Sequence, residues 1–357
     1  MKILFTGGGT AGHVTPNVAL IEKFREEDWD CHYVASKHGI EKDIIAKLNI
    51  PYHAIASGKL RRYFDWKNFT DPFLVLFGVL QSLVICLRVR PDVVFSKGGF
   101  VAVPIVFAAW LFRVPIICHE SDVTPGLANK LCFPFAIKIC VNFSETKQYI
   151  AADKVILTGT PIRRSLVEGS AQRGRQYLAV SSDKPVLLIF GGSLGARVIN
   201  AQIRSVIAAL SDKFVVVHVA GAGNIDESLQ ATRDYIQTEY LMDEFGDVLA
   251  AADLVIARAG ANSIYELLVT RKPHILIPLS AKASRGDQLV NARTFARAGF
   301  SHVIEEDALN DELLLKKVDE VFANREAIAE QLAKYEIPDS VSVISKLIKK
   351  AAVGELR

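Results

Sequence analysis

Cysteine is scarce in this chain and poorly placed for chemistry. The five residues, Cys31, Cys86, Cys118, Cys132 and Cys140, all fall in the first half, mostly inside apolar runs and in no C-x-x-C pair. An odd, scattered set argues against a disulfide frame or a zinc site and for small buried hydrophobes in a reducing cytoplasm. An excess of one charge is missing too. Lys and Arg outnumber Asp and Glu by 42 to 39, a net charge of +3, which indicates no nucleic-acid partner. No charged leader with a cleavage site precedes the strand residues that begin at Ile3, so no signal peptide is expected. Nor does the apolar run Phe73 to Leu87, FLVLFGVLQSLVICL, cross a bilayer: it falls short of about 18 residues and is interrupted by Gln81 and Ser82.

What the chain does have is a repeated unit. Each half opens with an apolar strand, a glycine-rich loop and a helix: ILFTGGGTAGHVTP from Ile3 to Pro16, and VLLIFGGSLGARVIN from Val186 to Asn200. Glycine lets the backbone approach a ligand closely, and amides at a helix start carry a partial positive charge that suits phosphate. At 357 residues the chain exceeds the usual limit for one core, so two domains and a cleft are expected.

Short β-branched runs alternate with longer amphipathic stretches. Strands are predicted near Ile3–Thr6, His32–Ala35, Val93–Ser96, Pro115–Cys118, Ile137–Val141 and Val155–Leu157 in the first half. In the second they are predicted near Val186–Phe190, Phe214–Val219, Tyr235–Tyr240, Leu254–Ala257, His274–Ile277 and His302–Ile304. That rhythm reads as an α/β chain of two Rossmann-like domains, each a parallel sheet covered on both faces. The polar segment Gly159–Pro185, with TGTPIRRSL, is where a hinge belongs. The expected division is 1–160, 161–339, and a C-terminal helix in 340–357 that crosses back to the first domain.

The apolar run is flanked by Lys59, Arg61, Arg62 and Lys67 before it and by Arg88 and Arg90 after it, with Tyr63, Phe64, Trp66 and Phe69 interleaved. This pattern suits a helix resting on an anionic membrane surface, and equally a core helix beside a solvated basic loop.

A glycine-rich loop alone is a weak signal, and a dinucleotide site also needs a carboxylate at the end of the second strand. That strand ends at Ala35, Ser36 and Lys37, so an NAD or FAD reading loses support. His13 follows Gly12 directly, with Pro16 placed to open the helix; it can accept a hydroxyl proton near neutral pH, or simply bond its own loop. Strands ending at Ser96 and Cys118 deliver KGGF and HESDVTPG to the same sheet edge, where Gly98, Gly99, His119 and Glu120 can converge with His13. In the second half Ser193 sits among amides that suit a phosphate. Glu266, within RAGANSIYE, is placed to accept from both hydroxyls of a ribose, the alternative being a solvated helix residue. Asp287, Gln288 and Asn291 at a further helix start can read sugar hydroxyls or act as plain caps.

The motifs GGGTAGHVTP, SKGGF, HES, GTPIR, GGSLGAR, ARAGANSIYE and GDQLVNA, in this order and spacing, resemble the MurG family from about Lys2 to Ile348. The resemblance implies a GT-B fold, with the acceptor on the N-terminal domain and the donor on the C-terminal one. It implies inverting transfer of GlcNAc from UDP-GlcNAc to the 4-hydroxyl of MurNAc in undecaprenyl-pyrophosphoryl-MurNAc-pentapeptide, turning lipid I into lipid II. The setting implied is the cytoplasmic face of the cell membrane, beside other cell-wall synthesis proteins. By matching positions, Thr10, Ala11 and Gly12 would face donor sugar and acceptor, Arg163 and Ser193 the diphosphate, and Leu241 or Met242 the uracil. Ala261, Asn262, Ser263, Ile264, Tyr265 and Glu266 would hold the nucleotide, with Glu266 on the ribose, and Gln288 would read the GlcNAc. Gly98, Gly99, His119 and Asp122 fall on the acceptor side. His13 is the implied base, with Glu120 as rival or partner. No acidic D-x-D pair ends a strand, so no cofactor is required, and magnesium would only assist.

Three positions depart from the family pattern. Ala11 stands where glycine is common, Asp122 where asparagine is, and Asp287 where glutamine is. An aspartate near two pyrophosphates is unfavourable unless paired. The competing readings are another GT-B enzyme, such as a glycolipid synthase or a UDP-GlcNAc epimerase, and a non-catalytic UDP-sugar binder.

Overall fold

The computed structural model describes residues 1–58, 67–180, 182–192, 195–282 and 284–356, with residues 11 and 67–72 described by backbone alone. The chain divides into two units, Met1–Arg163 with Pro338–Arg357, and Arg164–Ile337.

The first unit is built on β1 (Lys2–Thr6), β2 (Asp30–Ser36), β3 (Tyr52–Ile55), β4 (Val93–Ser96), β5 (Ile116–Glu120), β6 (Lys138–Val141) and β7 (Val155–Leu157). They pair in parallel in the order β3-β2-β1-β4-β5-β6-β7. Ile3, Leu4 and Phe5 of β1 and Val93, Val94 and Phe95 of β4 are fully buried, which is why these strands read as unbroken apolar runs rather than alternating ones. The strand order reverses between β1 and β4, the switch point at which an open parallel sheet forms its ligand crevice. Register completes the placement: Thr6 lies opposite Ser96 and Ser96 opposite Cys118. Gly7, Lys97 and His119 therefore leave the sheet side by side.

Strand β3 was not predicted. It is an edge strand paired only with β2, and its sequence YHAI buries only Ile55, so no inward apolar period marks it. The helix Ala11–Arg25 corrects a second expectation, because it starts ahead of Pro16 and carries that proline in its interior. Thr10, in extended conformation, is the residue at its start. The helix Ser340–Ala352 belongs to this first unit. Its Ile344, Ile348 and Ala351 join the core of β1 and β4, and Lys349 pairs with Glu27 at 2.5 Å.

The second unit contains β8 (Val186–Phe190), β9 (Val215–Val219), β10 (Tyr235–Thr238), β11 (Leu254–Ala257), β12 (His274–Leu276) and β13 (His302–Val303). Their parallel order, β10-β9-β8-β11-β12-β13, repeats the first topology with a switch point between β8 and β11. Phe190 lies opposite Ala257 and Ala257 opposite Leu276, so Gly191, Arg258 and Ile277 emerge together.

Candidate functional site

The first glycine loop is pinned from below. The Tyr33 hydroxyl donates to the Gly7 carbonyl at 2.8 Å, and Asn17 Nδ2 donates to the Tyr33 oxygen at 3.2 Å and to the Thr6 carbonyl at 3.3 Å. A Cβ on Gly7 would lie 2.6 Å from the His13 carbonyl oxygen, so a larger residue would force the loop off the helix. Behind the loop lies Glu41, fully buried in the helix Ile40–Ala46. Its carboxylate accepts from the Gly9 amide at 3.4 Å and from the Ser36 hydroxyl. A carboxylate does therefore follow the second strand, but it serves the loop rather than a ribose. Sequence reasoning missed it by looking only at the residues that end the strand.

His13 is half-buried in the first turn of the helix. Its Nδ1 lies 3.0 Å from the Gly8 carbonyl oxygen and 3.2 Å from the Thr10 hydroxyl. A carbonyl oxygen can only accept, so this bond places the proton on Nδ1 and the lone pair on Nε2. Thr10, Ala11 and Gly12 are the residues from which that turn begins.

Gly98 and Gly99 both occupy the left-handed region, at φ +97° and +86°. A Cβ on Gly99 would lie 2.5 Å from the Gly8 carbonyl oxygen, and one on Gly98 would lie 2.6 Å from Asn129 Oδ1. The SKGGF segment thus lies flush against the first loop. Glu120 is buried at the end of β5, and both of its oxygens are engaged. Oε1 accepts from the Asp122 amide at 3.0 Å, while Oε2 accepts from the Gly126 amide at 3.0 Å and from Asn129 Nδ2 at 2.9 Å. Glu120 thus braces the HESDVTPG loop, and Asn129 is a partner the sequence did not reveal. His119 is fully buried. It lies 2.9 Å from the Gly159 carbonyl oxygen through Nε2 and 2.7 Å from Lys97 Nζ through Nδ1. Burial, reinforced by the nearby Lys97 charge, holds its imidazole well below the usual histidine range. Asp122 is half-buried on the loop that Glu120 closes.

Arg163 ends the main segment of the first unit, and its buried Nε has no hydrogen-bond partner among the described residues. Glu22 lies nearby; desolvation pushes its carboxyl up and the Arg163 charge opposes that shift.

In the second unit Ser193 and Leu194 lie outside the described residues. Gly195, at φ +76°, presses against β9's far end, where a Cβ would meet the Ala220 carbonyl oxygen at 2.2 Å. The helix Ala261–Val269 separates its predicted residues by face. Asn262, Ser263 and Glu266 are half-buried, whereas Ala261, Ile264 and Tyr265 are buried in the core. The side chains of these last three pack inward. Arg258, also not singled out from sequence, donates to the Ile277 carbonyl at 3.1 Å and pairs with Glu306, tying the ends of β11 and β12 together. Gln288 Oε1 accepts from the Leu279 amide at 2.9 Å, and Asn291 is buried below the same helix start. Leu241 is half-buried and Met242 exposed just beyond β10. Among the described residues no group of three or more His, Cys, Asp or Glu side chains is placed to hold a metal ion.

Residues 3–141 match the glycosyltransferase family 28 N-terminal domain, and residues 186–347 match the glycosyltransferase family 28 C-terminal domain. The chain is 52% identical over 351 residues to the UDP-N-acetylglucosamine–N-acetylmuramyl-(pentapeptide) pyrophosphoryl-undecaprenol N-acetylglucosamine transferase of Clostridium perfringens strain SM101, covering 98% of both chains. This chain belongs to that transferase family, the MurG family. Proteins of the same description from Clostridium novyi and from Clostridium botulinum strain Langeland are 51% and 50% identical, covering 98% of this chain and 98% and 99% of theirs. A crystal structure of Acinetobacter baumannii MurG superposes with a TM-score of 0.74 at 24% identity, covering 98% of this chain and 99% of that one. A UDP-GlcNAc 2-epimerase from Neisseria meningitidis reaches 0.69 at 12% identity, covering 98% of this chain and 100% of that one. At those identities the two structures establish the fold, the GT-B arrangement of two Rossmann-like domains. One departure of this MurG-family chain is accommodated locally: Asp287 lies 3.7 Å from Arg285, which supplies the pairing an aspartate needs there.

Proposed function

We propose that this chain transfers GlcNAc from UDP-GlcNAc to the 4-hydroxyl of MurNAc in undecaprenyl-pyrophosphoryl-MurNAc-pentapeptide, inverting the anomeric carbon and releasing UDP. The observation that carries the chemistry is the contact of His13 Nδ1 with the Gly8 carbonyl at 3.0 Å, which in the neutral imidazole puts the lone pair on Nε2. In the proposed step Nε2 takes the hydroxyl proton while the oxygen attacks the anomeric carbon and the bond to UDP breaks. Ser193, Arg163 and the amides of the second glycine loop stabilise the leaving diphosphate; the buried, unpartnered Arg163 Nε supports that role. Glu266 takes the ribose hydroxyls, with Asn262 and Ser263 beside it, and Leu241 or Met242 covers the uracil. Gln288 already uses its oxygen on Leu279, so it offers its amide NH2 to the GlcNAc. Thr10, Ala11 and Gly12 face the reacting sugars. Gly98, Gly99 and Asp122 shape the acceptor side, with His119 and Glu120 holding their loop.

The lipid carrier of the acceptor and the nucleotide-sugar donor together support a reaction at the cytoplasmic face of the membrane. No helix among the described residues is long and apolar enough to cross a membrane. Instead Phe73, Leu76, Phe77, Leu80, Val84 and Leu87 are exposed along one stripe of the helix Lys67–Val89. Trp110, Leu111 and Phe112, at the end of the neighbouring helix, extend the exposed apolar set, with Arg88 and Arg90 at the end of the first helix and Arg113 just after the second. This arrangement supports peripheral docking on an anionic surface. Lys59, Arg61, Arg62, Tyr63, Phe64 and Trp66, the basic and aromatic flank expected from sequence, lie outside the described residues.

The test is transfer of labelled GlcNAc to a lipid I analogue. His13→Ala should lower kcat by about 10²- to 10⁴-fold. Glu266→Ala should chiefly raise the KM for UDP-GlcNAc. A folded wild-type chain that transfers nothing overturns the proposal, and one that converts UDP-GlcNAc without an acceptor points to epimerase chemistry.

A further inference from the structure

Lys97 is the first residue beyond β4 and is only 1% exposed, yet it forms no ion pair among the described residues. A buried ammonium group without a carboxylate partner is costly and calls for hydrogen bonds that justify it. Lys97 Nζ meets two acceptors, His119 Nδ1 at 2.7 Å and the Ser121 hydroxyl. His119 passes the connection on, since its Nε2 donates to the Gly159 carbonyl at 2.9 Å. Gly159 is held at φ +68°, so the direction of its carbonyl is tied to the path the chain then takes through Thr160 to Arg163. The Lys97 amide donates to the Thr6 carbonyl at 2.9 Å, and a Cβ on Gly7 would lie 3.1 Å from Lys97 Cβ. One side chain thus joins the glycine loop, the HESD loop and the GTPIR segment.

We propose that Lys97 is a positioning residue for the transfer reaction, setting the acceptor-side HESD loop through Ser121 and the path to Arg163 through His119. This rests on the transferase function proposed above. The bonds Lys97 makes are charge-assisted only while it is protonated, and losing the proton weakens both. Burial pushes its ammonium group down to about 7, opposed by Glu120, Asp122 and Cys140, the groups that face it from β5, the following loop and β6. The charged strut therefore exists below neutrality and is lost above it.

The experiment measures kcat and KM for a lipid I analogue between about pH 6 and about pH 8.5, in full-length wild type and in Lys97→Met. The wild type should lose about fivefold in acceptor kcat/KM as pH rises through about 7. Lys97→Met should be about fivefold below wild type at the acid end and converge with it at the alkaline end. A ratio that stays constant across the range overturns the proposal, because a merely structural defect would produce it. Should Lys97→Met not fold, the wild-type profile alone decides: absence of the alkaline decline overturns the proposal and its presence supports it. Absence of any transfer by folded wild type overturns the transferase function, and this proposal with it, whereas transfer with a constant ratio overturns Lys97 alone.

Discussion

Replacing Leu76 and Leu80 together by glutamine tests the membrane face most directly. Both project from the same stripe of the helix Lys67–Val89, with 60% and 53% of their surfaces exposed. Full burial of a leucine is worth roughly 1.5–3 kcal/mol, and about half of each side chain remains to be buried, so docking each contributes about 1–1.5 kcal/mol. The pair then accounts for about 2–3 kcal/mol, or about 30- to 150-fold in partition. This is a lower bound, since the new amides would also resist entering the interface. Glutamine keeps the helix propensity of leucine and the two positions face outward, so the fold should be unaffected. The assay is co-sedimentation with vesicles containing phosphatidylglycerol, with UDP-GlcNAc binding and thermal midpoint as controls. Raising the salt should weaken wild-type binding further through screening of Arg88 and Arg90. If the double variant partitions within about threefold of wild type, the exposed leucines do not touch lipid and the docking geometry is wrong.

Other outcomes follow from the same contacts. Burial depresses Lys97 to about 7, against about 10.4 in the unfolded chain, so between those values the unfolded state binds more protons and stability rises with pH. That rise is of the order of 4–5 kcal/mol and should disappear in Lys97→Met; urea unfolding of both proteins at neutral and alkaline pH measures the difference, and equal slopes would count against a buried charge. Glu120→Gln turns an acceptor of three donors into a side chain whose NH2 opposes one of them, at a cost of about 1–3 kcal/mol. A bracing role predicts a lower thermal midpoint with kcat largely kept; full stability with abolished kcat would make Glu120 the base. Burial pushes the Cys31, Cys86, Cys132 and Cys140 thiols up to about 12, and Cys118 well above its ordinary value. A disulfide reagent near pH 8 should label none of the five before unfolding and all of them after.

The two sheets were legible because parallel strands buried on both faces leave continuous apolar runs. β1, β4, β8 and β11 all carry that mark, while the edge strand β3 does not. The glycine loops and His13 were legible because their spacing is local. The braces were not, because their meaning lies in distant partners. Glu41 reaches back to Gly9, Asn129 to Glu120, and Lys97 to a histidine that sits 22 positions further along the chain. Nor was it legible which face of the helix Ala261–Val269 turns outward. The resemblance marks a contiguous block, whereas helical geometry divides 262, 263 and 266 from 261, 264 and 265, and only the first set lies off the core.

Topology makes the two glycine loops equivalent; what lies behind them does not. The first loop has an internal anion, Glu41, already accepting from the Gly9 amide at 3.4 Å. A phosphate charge brought within about 6 Å of that carboxylate would meet a repulsion of about 3 kcal/mol at an effective dielectric near 20. A sugar hydroxyl meets no such barrier, since it both donates and accepts and carries no charge. The second loop is backed differently: Gly195 lies against the neutral Ala220 carbonyl, and the nearest buried charge described at that sheet edge, Arg258, is positive and already paired with Glu306. A diphosphate is therefore better accommodated in the second half and a hydroxyl-bearing acceptor in the first. On this reasoning the division proposed between donor and acceptor follows from one buried glutamate, and not from any difference in the order of the strands.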